Sequence, residues 1–234
     1  MRIEKIIGNK RCCLYVNGEA DVFLIQAVDG HDLEMLDREV ERIKELASGI
    51  PFTLAAFLIE NWNSELSPWE MPAVFGKEDF GAGAGGTLQY ITETLLPWLE
   101  ENFGSNHKMD HYLGGYSLSG LFALWAAYQT NRFRGIAAVS PSVWFPGWES
   151  YMETHDIRTS AVYLSLGDKE EKARNKTMAA VGDNIRRQHE LLRRADIADQ
   201  CVLEWNPGNH FVDPELRTAK GFAWLLNQRQ EVLR

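Results

Sequence analysis

A chain of 234 residues, 45% hydrophobic and 24% charged, has the composition of a globular protein with one sizeable core. Its net charge of −9 argues against nucleic acid as a partner, because phosphate binding needs a basic surface. No apolar run approaches membrane-spanning length, and no signal-peptide pattern opens the chain. The three cysteines (Cys12, Cys13, Cys201) make neither a disulfide framework nor a zinc spacing, so the expectation is a cytoplasmic protein that uses no membrane and no metal.

Arg11–Val16, with the stretch before it, fits an antiparallel hairpin at one sheet edge, joined at Asn17-Gly18 to the next strand. Val22–Val28 is a short apolar run ending in Asp29-Gly30 and reads as a buried strand with a turn. Asp32–Ala47 places Leu33, Leu36, Val40, Ile43 and Leu46 at helical spacing, and Gly49 and Pro51 close it. Phe52–Ile59 is again continuously apolar, as in a strand buried on both faces. A polar, aromatic loop covers residues 60–80. The following Gly81-x-Gly83-x-x-Gly86 copies the dinucleotide fingerprint in form only. No strand precedes it, so it reads as a helix entrance.

Thr87–Phe103 is a helix stopped by Gly104, and His111–Gly114 a short strand. Leu118–Tyr128 is a helix rich in small residues. Gly135–Val139 and Ala161–Leu166 are buried strands, Met178–Arg194 a long helix, Cys201–Trp205 a late strand and Leu216–Asn227 a closing helix. The alternation implies right-handed crossovers and a mostly parallel sheet with helices on both faces, in one domain over residues 1–234.

The junction of the His111–Gly114 strand with the next helix reads Leu113-Gly114-Gly115-Tyr116-Ser117-Leu118-Ser119-Gly120. This has the form of a nucleophile elbow, a tight strand-to-helix turn whose serine is flanked by small residues. The turn exposes the Ser117 hydroxyl at a helix N-terminus, where backbone N–H groups can receive an oxyanion. The serine still needs a base.

In open parallel sheets, chemistry sits beyond the carboxyl ends of the strands. The loop after Ala161–Leu166 supplies Asp168, Glu170 and Glu171, and the loop after Cys201–Trp205 supplies His210. The order serine, acid, histidine is that of the α/β-hydrolase class. Among the other histidines, His107 and His111 lie at the wrong end of the sheet, and His155 and His189 sit in polar surroundings. His31 follows a strand but precedes the serine. All three carboxylates remain candidates for the acid, with the Gly-x-x-acid spacing favouring Glu170. One oxyanion donor is expected from the Leu118 N–H and a second from Asn61 or Trp62, after the Phe52–Ile59 strand. Tyr116, Trp144 and Trp69 are candidate walls of the substrate pocket.

The chain resembles the putative-esterase branch of the α/β-hydrolases, which includes siderophore, feruloyl and acetyl-xylan esterases, S-formylglutathione hydrolases and mycolyltransferases. The resemblance is carried by Val28-Asp29-Gly30, Leu66-Ser67-Pro68, Leu96-Pro97-Trp98, the elbow, Val139-Ser140-Pro141-Ser142-Val143-Trp144 and Gly208-Asn209-His210. Ser119 stands where the branch more often has glycine. The resemblance implies an α/β-hydrolase fold without a large cap domain, a small-molecule ester as substrate and no cofactor. It implies Ser117 as nucleophile, His210 as base and Glu170 as acid, although some siderophore esterases of the branch use a Ser–His dyad. Acyl transfer to an alcohol, or a non-catalytic binding role on the same fold, are the alternatives. Oligomeric state is not legible.

Overall fold

The computed structural model describes residues 1–104, 109–195 and 200–232. Its centre is an eight-stranded sheet: β1 (Arg2–Ile7), β2 (Lys10–Asn17), β3 (Val22–Val28), β4 (Phe52–Leu58), β5 (Asp110–Tyr116), β6 (Gly135–Val139), β7 (Ala161–Gly167) and β8 (Cys201–Asn206). The spatial order is β1-β2-β4-β3-β5-β6-β7-β8. β1 and β2 form the expected antiparallel edge, β2 also runs antiparallel to β4, and every later pairing is parallel.

The apolar runs are explained by two-sided burial. Along β3, Phe23, Ile25 and Ala27 enter one core while Val22, Leu24 and Val28 enter the other. α1 (Gly30–Leu46) and α9 (Pro214–Val232) cover the second face. α3 (Ala84–Tyr90), α4 (Leu96–Phe103), α5 (Leu118–Gln129), α6 (Trp148–Thr154) and α8 (Val181–Arg194) pack on the first. Short helices α2 (Trp62–Glu65) and α7 (Lys176–Ala179) complete the set. No helix among the described residues is long and apolar enough to cross a membrane. The three cysteines are free thiols.

Several boundaries differ from the sequence expectation. α1 begins two residues early because Asp29 and Asp32 form a reciprocal capping box. The Thr87–Phe103 helix starts at Ala84 and contains a π-helical segment, Ile91–Leu95, where the Leu96 N–H reaches back to the Ile91 carbonyl. The widened turn precedes Pro97, which has no N–H to continue a regular ladder. The helix expected over Met178–Arg194 is two pieces, α7 and α8, with Asn175 capping the first through the Thr177 and Met178 N–H groups. Gly182 then lets α8 close on the acid loop, since a Cβ there would lie 2.2 Å from Glu171 Oε2. The closing helix is longer than expected, with Pro214 at its first position. α6, hidden in a stretch without periodicity, starts after Gly147 in a left-handed conformation.

The Gly81–Gly86 segment is the helix entrance expected. Cβ atoms on Gly81 and Gly83 would meet Ser64 at 2.6 Å, so glycine there permits close packing of this loop on α2.

Candidate active site

The site begins at the elbow between β5 and α5. Ser117 has φ 58°, a conformation L-residues rarely adopt, and caps α5 without a side-chain bond to the helix. The turn is held by the Ser117 N–H on Val139 O (3.0 Å) and the Ser142 N–H on Ser117 O (3.0 Å). A Cβ at Gly115 would fall 2.0 Å from Ser119 Oγ, and one at Gly120 2.9 Å from Gly115 O, which explains the small residues around the serine. The Ser119 hydroxyl donates to Ala27 O (2.9 Å) and ties the elbow helix to β3.

The loops after β7 and β8 converge on this turn. His210 Nε2 lies 3.0 Å from Ser117 Oγ, and its Nδ1 lies 2.8 Å from Glu170 Oε2. With Nδ1–H donating to the carboxylate, the Nε2 lone pair faces the serine hydroxyl. The three carboxylates left open by the sequence are separated by their partners. Asp168 accepts the Gly208 N–H (2.8 Å), and Glu171 pairs with Arg186 (2.7 Å). Only Glu170 meets the imidazole. It begins a short 3₁₀ turn (Glu170–Lys172) and is 7% exposed.

Burial pushes the Glu170 carboxyl up, but its bonds from His210, the Ser140 hydroxyl (2.8 Å) and the Gly167 N–H (2.7 Å) outweigh this and hold it below the usual carboxylate range. A lowered pKa in the folded state adds stability that is complete above about pH 4.5, the ordinary value, and is lost as pH falls through the lowered one. Glu170→Gln is therefore expected to be less stable than the parent near neutrality, with the deficit shrinking below about pH 4.5. Urea denaturation from about pH 7 to 3 checks this.

Arg217, on the first turn of α9, was not singled out by sequence reasoning. It is 2% exposed. One guanidinium nitrogen contacts Glu170 Oε1 (3.2 Å), Tyr116 Oη (3.2 Å) and Ser140 Oγ (3.4 Å), and the other donates to the carbonyls of Pro207 (2.9 Å) and Asn209 (3.0 Å). A single side chain thus binds the acid and the histidine loop together. The available signal was a lone arginine near the start of a helix following the His210 loop, which is a common surface pattern.

Of the expected oxyanion donors, the Leu118 N–H opens α5 and meets no protein acceptor among the described residues. The Asn61 N–H is occupied, donating to Glu65 Oε1 (2.9 Å), and the same oxygen takes the Glu60 N–H (3.1 Å). Among the described residues the adjacent Trp62 N–H has no such acceptor, and Trp62 lines the cleft beside Ser117. Glu65 itself is anchored by Lys10 Nζ at 2.5 Å.

The cleft over Ser117 and His210 has a volume of about 820 Å³, with apolar walls from Trp62, Phe75, Trp144, Met178, Val181 and Phe211. Trp144 therefore lines the cleft that holds Ser117. Tyr116 and Trp69 are not among its lining residues. The Tyr116 ring packs 5.1 Å from the His210 ring and its hydroxyl donates to His210 O (2.7 Å). Burial is the main cause that pushes the Tyr116 phenol up to about 12, so it remains a donor. Trp69 braces the loop behind Trp144, donating to Pro146 O (2.9 Å) and packing on Phe145 and Tyr151. The other histidines lie apart from this cluster. His111 stacks on Phe23 and His155 on Tyr151, while His31 and His189 sit on α1 and α8. His107 lies outside the described residues. No group of three or more His, Cys, Asp or Glu side chains among the described residues is placed to hold a metal.

A family model described as "Putative esterase" matches residues 25–209, ending one residue before His210. No curated protein matches the sequence. The fold is similar to an IroE-like serine hydrolase from Shewanella oneidensis (TM-score 0.79, 17% identity, 100% of this chain and 85% of that one). It is similar also to the siderophore hydrolase EstB from Aspergillus nidulans (TM-score 0.73, 16% identity, 97% and 95%). A third similar structure is the enterobactin esterase FES from Shigella flexneri (TM-score 0.67, 13% identity, 100% of this chain and 60% of that one).

Proposed function

Because this chain belongs to the putative esterase family, an enzyme family acting on small-molecule esters, we propose that it hydrolyses a carboxylic ester through an acyl-enzyme on Ser117. The observation that carries the reading is the hydrogen-bonded series Glu170 Oε2···His210 Nδ1 and His210 Nε2···Ser117 Oγ at 2.8 and 3.0 Å. His210 takes the hydroxyl proton as Ser117 Oγ attacks the ester carbonyl, and Glu170 stabilises the imidazolium that forms. The Leu118 and Trp62 N–H groups receive the oxyanion. His210 then returns the proton to the leaving alkoxide. Water enters the same position and attacks the acyl carbon as it loses a proton to His210, and His210 gives that proton to Ser117 Oγ as the acid leaves.

No cofactor enters this scheme. We further propose a single domain working in the cytoplasm, without nucleic acid or membrane as partner. The excess of 33 acidic side chains over 24 basic ones supports the exclusion of nucleic acid.

The experiment is labelling with a fluorophosphonate, followed by peptide mass analysis. The expected result is one adduct, on Ser117, formed at the rate at which 4-nitrophenyl ester hydrolysis is lost. Hydrolysis that survives complete labelling of Ser117, or an adduct on another residue, would reject the assignment. Addition of an acceptor alcohol during turnover separates hydrolysis from acyl transfer by its products.

A further inference from the structure

We propose that the alcohol portion of the ester carries an anionic group, held by Lys169 and Lys172. This rests on the esterase reading and narrows its substrate class.

Although the chain is acidic overall, the segment after β7 carries Lys169, Lys172, Arg174 and Lys176, all exposed. Among the described residues none of the four forms an ion pair. The acids interleaved with them are turned to other tasks. Asp168 accepts the Gly208 N–H, Glu170 lies under His210 and Arg217, and Glu171 pairs with Arg186. Two of the four cations, Lys169 and Lys172, line the same cleft as Ser117 and His210. The only carboxylate among the lining residues is Glu170, already matched by Arg217 at 3.2 Å. Two exposed lysines without an ion pair among the described residues therefore border a cleft whose other walls are aromatic and apolar, an arrangement that favours an anion at its rim.

Their position fixes which part of the ester they meet. The Lys169 N–H donates to Gly208 O (3.1 Å), so this lysine is stitched to the histidine loop, and Lys172 follows one 3₁₀ turn later. The base that returns a proton to the departing alkoxide must lie against that alkoxide. Groups flanking His210 consequently face the alcohol side. A carboxylate there gains both ammonium groups, while a neutral alcohol gains neither.

The test compares two butyrate esters, of 4-nitrophenol and of 3-carboxy-4-nitrophenol, in the parent and in Lys169→Ala/Lys172→Ala. Comparing each variant with the parent on the same ester removes the intrinsic reactivity of the leaving groups. The double substitution is expected to lower kcat/KM for the carboxylated ester by roughly tenfold, mainly through KM, and to change the neutral ester by less than about twofold. Lys169→Arg/Lys172→Arg should restore most of the loss. Salt at about 0.5 M should depress the parent on the carboxylated ester only. An equal loss on both esters, or a loss on neither, overturns the inference while leaving the esterase site intact. A parent enzyme inactive on both esters would instead reject the esterase site, and this inference with it.

Discussion

Ser117→Ala is expected to lower kcat/KM on any ester substrate by at least about 10⁴-fold while leaving the fold unchanged. The substitution removes only Oγ, whose one hydrogen-bonding neighbour among the described residues besides the imidazole is Ser142 Oγ at 3.4 Å. The strained backbone at φ 58° costs alanine much what it costs serine, so the melting temperature should move little. Residual turnover would come from the cleft and the oxyanion donors acting on water. The sharper form of the prediction is non-additive. If Ser117 and His210 work as one unit, Ser117→Ala/His210→Ala should be no slower than either single variant, since the first loss already disables the unit. Losses that multiply in the double variant would show the two residues acting independently and would dismantle the mechanism.

The second large effect is expected at Arg217. Arg217→Met keeps an unbranched apolar stem and removes the guanidinium with its charge and donors. Glu170 Oε1 then retains only the Ser140 hydroxyl and the Gly167 N–H, the Pro207 carbonyl loses the guanidinium donor, and Asn209 O keeps only the Val212 N–H (3.3 Å). Breaking a buried pair by removing one partner costs about 3–5 kcal/mol, roughly a 10 °C fall in melting temperature for a chain of this size. Activity should fall as well, because the same nitrogens hold the histidine loop in place. Loss of the nearby positive charge also disfavours the ionised carboxylate that His210 needs as its partner, so the acid limb of the kcat/KM profile should change as well. Arg217→Lys keeps the charge without the planar fork. It should hold the acid limb nearer the parent while still lowering kcat. A variant that merely melts earlier, with the pH profile and kcat of the parent, would limit Arg217 to a structural part.

These two residues differ in how far the sequence announces them. Ser117 was legible because an elbow is a local object. Its small neighbours, the strand before it and the helix after it all lie within about a dozen residues, and steric demands at Gly115 and Gly120 dictate their identity. His210 was legible by its place after a strand and by chain order. The acid was legible only as a preference for Glu170 from the Gly-x-x-acid spacing, because Asp168, Glu170 and Glu171 share one loop and differ only in where each side chain points. Their separate partners come from residues 30 to 40 positions away or on the neighbouring helix: Ser140 and His210 for Glu170, Gly208 for Asp168, Arg186 for Glu171. Asn61 and Trp62 were indistinguishable for the same reason, until the Glu65 carboxylate took the Asn61 N–H.

By itself the sequence determined the succession of strands and the main helices between them, the two-sided burial of the sheet and the turn that presents the serine. Each of these follows from hydrophobic period and local sterics over short stretches. The tertiary structure alone decided which carboxylate meets the imidazole, that Arg217 clamps both loops, and that Tyr116 and Trp69 brace the site while Trp144 walls it. Those outcomes depend on distances between loops set by the packing of a whole sheet, and no periodicity along the chain records them.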